Sequence, residues 1–298
     1  MKEYALFPGC SLEKMASSYY VSAVETARKL DVELKELEDW NCCGATTYFH
    51  VDELLAYTLS ARNLAMAEKA GLDLVAPCSA CYKNSYFTNV YLKEDPDLAD
   101  HINFALQADD LQFSGSIKVR HLIEVYVDEV GLEEVKSQVS HPLDGLRVAP
   151  YYGCQMVRPR KEGQEIRDVE QPRYFERLLS AIGADPIDYE PLKVHCCGGS
   201  LILTSRRAAL SLVRNLLQSA VDRGADVIAT TCPLCQVNLE CYQNQVNQEF
   251  GTELSVPVMY FTQLMGLAMG IKPEKLGIGK ELVSAAPIVF SSVGAEAS

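Results

Sequence analysis

The chain has 298 residues, enough for two domains that each bury their own hydrophobic core. Its composition, 48% hydrophobic and 22% charged, excludes a disordered or low-complexity chain. A formal charge of −13 argues against nucleic acid as the main partner. Neither a secretory leader nor an apolar run long enough to span a bilayer is visible, so we expect a soluble, cytoplasmic protein.

In the first half of the chain, predicted strands lead to cysteines. The predicted elements are strands at residues 4–7, 32–37 and 72–76, a helix at 52–69 and a strand–helix step at 117–130. Cys10 follows the first strand, the Cys42–Cys43 pair follows the second, and a CxxC motif formed by Cys78 and Cys81 follows the third.

The second half repeats this order. Strands are predicted at residues 147–149 and 226–229, a helix at 205–223 and a strand–helix step at 257–270. Its cysteines are Cys154, the Cys196–Cys197 pair, and Cys232 and Cys235 of a second CxxC motif. The copies differ by an insertion at 91–115, and residues 133–145 are predicted as the linker. We therefore place one domain at 1–140, a second at 146–275 and a C-terminal tail at 276–298.

The spacing of the cysteines indicates a duplication. Cys42, Cys43, Cys78 and Cys81 each recur 154 residues later, and only Cys10 differs, recurring after 144 residues. Strands that alternate with helices predict two tandem duplicated α/β domains with short parallel sheets, related by a pseudo-two-fold. The cysteines then cluster beyond the carboxyl ends of the strands, where open α/β sheets place their sites.

Five cysteines per copy fit few known centres. Structural zinc takes four ligands, commonly from two CxxC-like pairs, and a ferredoxin cluster takes four from one dense run. A thioredoxin-like CxxC would leave Cys10 and the Cys42–Cys43 pair unexplained. The pattern instead favours a thiolate-rich polynuclear centre, iron–sulfur rather than zinc, present twice.

The motifs resemble those of the B-type subunit of heterodisulfide reductase, of the cysteine-rich CCG-domain family. The resemblance covers nearly the whole chain and rests on the motifs FPGCSL at 7–12, DWNCCGA at 39–45, APCSACY at 76–82, PYYGC at 150–154, CPLC at 232–235 and YFTQL at 260–264. It implies an oxidoreductase that acts on sulfur groups, with a disulfide substrate bound between two noncubane [4Fe–4S] clusters. It further implies two partners, a ferredoxin-like iron–sulfur subunit (C-type) and a flavin subunit (A-type). The implied ligands are Cys10, Cys42, Cys43, Cys78, Cys81, Cys154, Cys196, Cys197, Cys232 and Cys235.

Four further residues have weaker signals. Arg158 and Arg160 follow Cys154 closely and could bind an anionic substrate group, with solvated surface as the even alternative. His195 precedes Cys196 and could relay a proton, although a structural histidine is the commoner case. Cys241 has no counterpart in the first copy and is interpreted as a buried small hydrophobic residue.

Two other functions stay open on the sequence alone. One is an iron–sulfur electron-transfer subunit of a quinone-linked or dehydrogenase-linked complex. The other is a zinc-bound scaffold without catalytic activity. Metal content distinguishes the scaffold from the iron–sulfur proteins, and binding of a thiol-derived species distinguishes the reductase from the electron-transfer subunit.

Overall fold

The fold contains two parallel sheets with the same strand order. A computed structural model describes residues 1–45, 47–159 and 168–288. The first sheet has the order β2-β1-β3-β4 and the second β6-β5-β7-β8, and every pair is parallel. The strands are β1 Lys2–Leu6, β2 Val32–Glu36, β3 Leu74–Ala76, β4 Val119–His121, β5 Arg147–Tyr151, β6 Asp185–Pro186, β7 Val227–Thr230 and β8 Val258–Tyr260.

Helices connect and cover the strands. In the first half they are α1 Gly9–Glu13, α2 Ser17–Lys29, α3 Tyr48–Val51, α4 Glu53–Lys69, α5 Ser79–Glu94, α6 Pro96–Leu106, α7 Leu122–Glu124 and α8 Leu132–Ser137, with a π-helical turn at Val125–Gly131. In the second half they are α9 Gly153–Met156, α10 Tyr174–Ala181, α11 Arg206–Asp222, α12 Pro233–Cys241, α13 Gln243–Phe250 and α14 Phe261–Ala268. The predicted α/β architecture with duplicated short parallel sheets is confirmed.

Local sequence explains where the long helices begin and end. The predicted helix at 52–69 is α4, and the Asp52 side chain accepts a hydrogen bond from the Leu55 amide at its N-terminus. Gly71, with φ +68°, ends the turn after it. Residues 133–137 of the predicted linker are helical, because they belong to α8, which packs against α10 and buries Val135. The insertion at 91–115 contains helix α6, which packs on α4 and α5.

The two repeats pack against each other reciprocally. Helix α2 of the first repeat packs on α14 of the second, and α8 packs on α10. The Ser22 and Thr262 hydroxyls lie 2.6 Å apart in the first of these contacts. Helix α1, which carries Cys10, contacts α12, while α5 contacts α9, which carries Cys154. These exchanged contacts bring the carboxyl ends of both sheets to one boundary.

The C-terminal segment packs on the second repeat and on α2 of the first as far as the described residues extend. The side chains of Leu276, Ala285 and Ile288 are buried. The Glu240 carboxylate accepts hydrogen bonds from the Leu282 and Val283 amides. Across the described ranges, no helix is both long enough and apolar enough to cross a membrane. The proposed limits of the two domains stay a prediction.

Candidate metal centre

The ten paired cysteines form one continuous run of thiol contacts. In the first repeat Cys42 Sγ lies 3.9 Å from Cys10 Sγ, and Cys43 Sγ lies 3.3 Å from Cys81 Sγ. In the second repeat Cys197 Sγ lies 3.6 Å from Cys235 Sγ. Side-chain interactions link the remaining neighbours, so that the run follows the order 10, 42, 43, 81, 78, 232, 235, 197, 196, 154. The sequence-predicted ligands are therefore all brought together.

The middle of this run crosses from one repeat to the other. Cys78 opens the first CxxC motif and Cys232 opens the second, and each thiol shifts the pKa of the other. Both are buried, at 6% and 3% exposure, whereas Cys10 and Cys196 are exposed. Each five-cysteine set thus has an inner end at the repeat boundary and an outer end near solvent.

Crowding of the thiols shifts their pKa values in opposite directions. Contact with the Cys154 thiol lowers the pKa of Cys196 to about 2, and nearby Arg158 acts in the same direction. Contact with Cys196 raises the pKa of Cys197 to about 12, and the pKa of Cys10 is raised by its contact with Cys42. Neighbouring thiolates repel, so all five members of a set can ionise together only with cations among them.

In each repeat a glycine lets the backbone approach a cysteine thiol closely. Gly9 and Gly153 precede the first cysteine of each copy with φ +67° and +71°. A Cβ at Gly9 would lie 2.7 Å from Cys81 Sγ, and one at Gly153 would lie 3.0 Å from Cys235 Sγ. Only glycine permits this approach of backbone to thiol.

A pair of buried asparagines holds the vicinal cysteines. The Asn84 amide donates to the carbonyl oxygen of Cys43 at 3.2 Å. Asn238, which lies 154 residues later, donates to the carbonyl oxygen of Cys197. Because a hydrogen-bonded outer shell orients metal ligands, these amides fix the backbone of each Cys–Cys pair before any metal binds.

The donor set suits a cluster better than a single ion. A tetrahedral zinc with bonds of about 2.3 Å would require four sulfurs with edges of about 3.8 Å. Within the described part of the chain, no three His, Cys, Asp or Glu side chains converge in a manner that would hold one metal ion. Five thiols extended along a run, with no carboxylate or imidazole among them, match the soft ligand preference of iron–sulfur centres.

Two cationic side chains lie near the outer end of the second set. The Arg158 Nε donates to the carbonyl oxygen of Cys154 at 3.3 Å, and Arg158 is exposed. Lys83, on α5 of the first repeat, is half-buried close to Cys43, Cys154 and Arg158, and desolvation lowers its pKa. The prediction for Arg160 falls outside the described residues.

His195 and Cys241 differ in their relation to the thiols. His195 is exposed, and its backbone carbonyl accepts a hydrogen bond from the Tyr151 hydroxyl at 2.7 Å. The predicted burial of Cys241 is wrong, because this residue is exposed at the end of α12. Partial desolvation and the neighbouring Glu240 raise its pKa. It takes no part in the run of thiol contacts described above.

Sequence reasoning missed several residues at the site. Lys83 follows Cys81 by two positions, and the paired Asn84 and Asn238 carry the 154-residue spacing that could have identified them. Buried Tyr19 and His121 had no signal, because only the packing of the repeats brings them to the CxxC motifs.

Comparison with known proteins agrees with this geometry. The cysteine-rich CCG domain matches residues 4–84 and 148–240. The chain is 34% identical over 286 residues to the B-type subunit of the Methanosarcina acetivorans ferredoxin/F420H2-dependent CoB–CoM heterodisulfide reductase, covering 95% of this chain and 94% of that one. It is 34% identical over 284 residues to the Wolinella succinogenes 8-methylmenaquinol:fumarate reductase membrane anchor subunit, covering 95% and 98%.

A solved structure shares the fold. The crystal structure of a hypothetical protein from Helicobacter pylori has a TM-score of 0.75 at 17% identity, over 95% of this chain and 52% of that one. At this identity the likeness extends to the fold alone. The duplicated motif and the identity to the B-type subunits together define the family: the chain belongs to the cysteine-rich CCG-domain family and is related within it to the B-type subunit of heterodisulfide reductase.

Proposed function

We propose that this chain is the catalytic iron–sulfur subunit of a heterodisulfide reductase-like complex. It would reduce, or in the reverse direction form, a disulfide between two noncubane [4Fe–4S] clusters. The relatives support an iron–sulfur reductase subunit in general terms. The observation that carries the finer proposal is the run of ten thiols whose two halves meet at Cys78 and Cys232.

Each five-cysteine set is proposed to hold one cluster. The first set comprises Cys10, Cys42, Cys43, Cys78 and Cys81, and the second comprises Cys154, Cys196, Cys197, Cys232 and Cys235. When bound, such clusters supply electrons one at a time and Lewis acidity toward sulfur.

The protein contributes positioning and charge to the reaction. Cleavage of one disulfide to two thiols consumes two electrons and two protons. Two one-electron centres held on either side of the bond suit this stoichiometry, and fixed placement of reacting groups is itself a large source of catalysis. Arg158, with Lys83 across the repeat boundary, is proposed to bind an anionic group of the substrate. His195 is the weaker candidate for a proton relay, because its ring lies exposed.

The metal content of anaerobically purified protein tests the proposal. Two four-iron clusters correspond to roughly eight irons per chain, with equal sulfide. Stoichiometric zinc with little iron would contradict the proposal and would favour a zinc-bound scaffold without catalytic activity. Treatment of the iron-loaded protein with a thiol product should then perturb the cluster spectrum, whereas a mere electron carrier should not respond.

A second candidate is an iron–sulfur subunit of a quinol-linked reductase. It is favoured by the relative from Wolinella succinogenes, whose name refers to 8-methylmenaquinol and fumarate. The two candidates separate in one assay, in which reduced protein is offered either a disulfide or a menaquinone analogue. Rapid reoxidation by the quinone alone would favour the second candidate.

Partners are needed to deliver electrons. The relatives are named as subunits, and a complex is therefore expected. We propose two partners, the ferredoxin-like iron–sulfur subunit (C-type) and the flavin subunit (A-type). Affinity purification from the native organism should recover at least the ferredoxin-like partner in a stable complex. An isolated chain that reduces a disulfide at full rate with a nicotinamide donor would contradict this proposal.

A further inference from the structure

Four buried polar side chains join the two CxxC loops across the boundary between the repeats. They are Tyr19, Ser79, His121 and Thr231, and they are called the inter-repeat tie below. Each is at most 1% exposed, so none of its hydrogen bonds is shared with bulk water. Such buried polar groups depend on one another for their partners, which makes their mutual geometry specific.

Tyr19 connects the backbones of both loops with one hydroxyl. Its oxygen lies 3.0 Å from the carbonyl oxygen of Pro77 and 3.2 Å from that of Thr231. Pro77 immediately precedes Cys78, and Thr231 immediately precedes Cys232. The Tyr19 hydroxyl therefore shares its proton between two carbonyl oxygens, and each carbonyl lies one residue before the first cysteine of a CxxC motif.

His121 adds a second connection, and its tautomer follows from its contacts. Nδ1 accepts a hydrogen bond from the Ile123 amide at 3.2 Å, so the proton lies on Nε2, which donates to the Thr231 carbonyl at 3.2 Å. Ser79 Oγ lies 3.3 Å from Thr231 Oγ1, which in turn lies 3.4 Å from the carbonyl oxygen of Tyr152. Side chains of the first repeat therefore contact both the backbone and the side chain of Thr231. Thr231 also contacts the backbone at the end of strand β5, shortly before Cys154.

The duplication does not repeat the residues of the inter-repeat tie at equivalent positions of the two copies. Position 231 of the second repeat corresponds to Pro77 of the first, which has no side-chain donor. Tyr260 occupies the helix start that His121 occupies in the first repeat, and its hydroxyl bonds to Gln236 within its own repeat. Because the second repeat forms the same strand–loop–helix steps with Pro233 in place of Ser79 and Tyr260 in place of His121, local folding requires neither Ser79 nor His121.

We infer that the inter-repeat tie sets the separation of Cys78 and Cys232, and with it the separation and coupling of the two metal centres. This inference rests on the proposed function. A bond that receives two electrons from two centres requires both to stay at a fixed distance. Tyr19 and His121 are positioning residues in this sense, since they act through the loop carbonyls.

Two substitutions remove single donors from the tie. Tyr19→Phe deletes the bridging hydroxyl and keeps the ring, which stacks on Tyr260 at 4.3 Å. His121→Asn keeps a side-chain acceptor for the helix start and deletes the Nε2 donor. Tyr126→Phe is the matched control, because Tyr126 is as deeply buried as Tyr19. Its hydroxyl bonds to Thr26, which lies on α2 as Tyr19 does, and it reaches neither CxxC loop.

The readouts are iron and sulfide content, the magnetic interaction between the two clusters, the separation of their midpoint potentials, and kcat with KM, all on the assembled complex. We expect Tyr19→Phe and His121→Asn to retain full iron, to weaken the magnetic interaction, and to lower kcat up to about 100-fold with KM unchanged. Tyr126→Phe should match the wild type in every readout.

Three results would overturn the inference. One is an unchanged magnetic interaction and unchanged potentials in both tie variants. Another is an equal change in Tyr126→Phe, which would indicate a general effect of burial. The third is loss of iron in the tie variants, which would assign the tie to cluster retention. Absence of iron from the wild-type complex would instead contradict the proposed function.

Discussion

Gly9 offers a sharp test of how the backbone approaches the thiols. Replacement by alanine has two effects that the structure separates. The first is backbone strain, because φ is +67° and an L-residue in the left-handed region costs roughly 1–2 kcal/mol. Reduced freedom of the unfolded chain offsets about 0.4–1 kcal/mol of this cost. Strain alone should therefore lower the free energy of unfolding by about 1 kcal/mol.

The second effect is a clash with a proposed ligand. The new Cβ would lie 2.7 Å from Cys81 Sγ, whereas favourable contacts between heavy atoms begin near ~3.5 Å. The sulfur would have to move by roughly 1 Å, while metal–ligand distances tolerate only about 0.2 Å. Gly9→Ala should therefore empty the first cluster and leave the second loaded.

Gly71 provides the matched control for this experiment. Its φ is +68°, and a Cβ there would meet nothing within 4 Å. Gly71→Ala should show the same strain in chemical unfolding while iron content stays that of the wild type. Full iron content in Gly9→Ala, or loss of iron in Gly71→Ala, would refute the reasoning.

Three further predictions concern ligands, substrate and pH. Cys42→Ser and Cys196→Ser should each remove one cluster and leave the other, as iron analysis would show; loss of all iron in both would mean that the sets are not independent. Arg158→Ala should raise KM for an anionic disulfide some tens-fold, from a charged hydrogen bond of roughly 2–3 kcal/mol, with iron content intact. Arg223→Ala, distant from the thiols, should leave KM unchanged, and equal effects would exclude an anion site at Arg158. Burial lowers the pKa of His121 from 6.5 to about 4, so the unfolded chain takes up this proton first and stability falls as pH drops from 6.5 toward 4. This loss amounts to roughly 3 kcal/mol, and chemical unfolding should show no such dependence in His121→Asn.

The sequence by itself determined the architecture and the inventory of the candidate site. The 154-residue recurrence of Cys42, Cys43, Cys78 and Cys81 required a duplication, and short apolar runs before each motif required parallel strands. These features could be predicted because they depend on local periodicity and on the chemistry of one residue type. Helix α4 likewise spans Glu53–Lys69, within one residue of the helix predicted at 52–69.

Only the tertiary structure decided how the two repeats meet. The interaction of the Cys78 and Cys232 thiols, the effect of Cys154 on the pKa of Lys83, and the hydroxyl of Tyr19 between two loops all join residues distant in sequence. No periodicity encodes such contacts, because they arise when helices of one repeat pack on helices of the other. His121 illustrates the reason, because it ends a strand in one repeat and reaches Thr231 of the other only when the two repeats pack together.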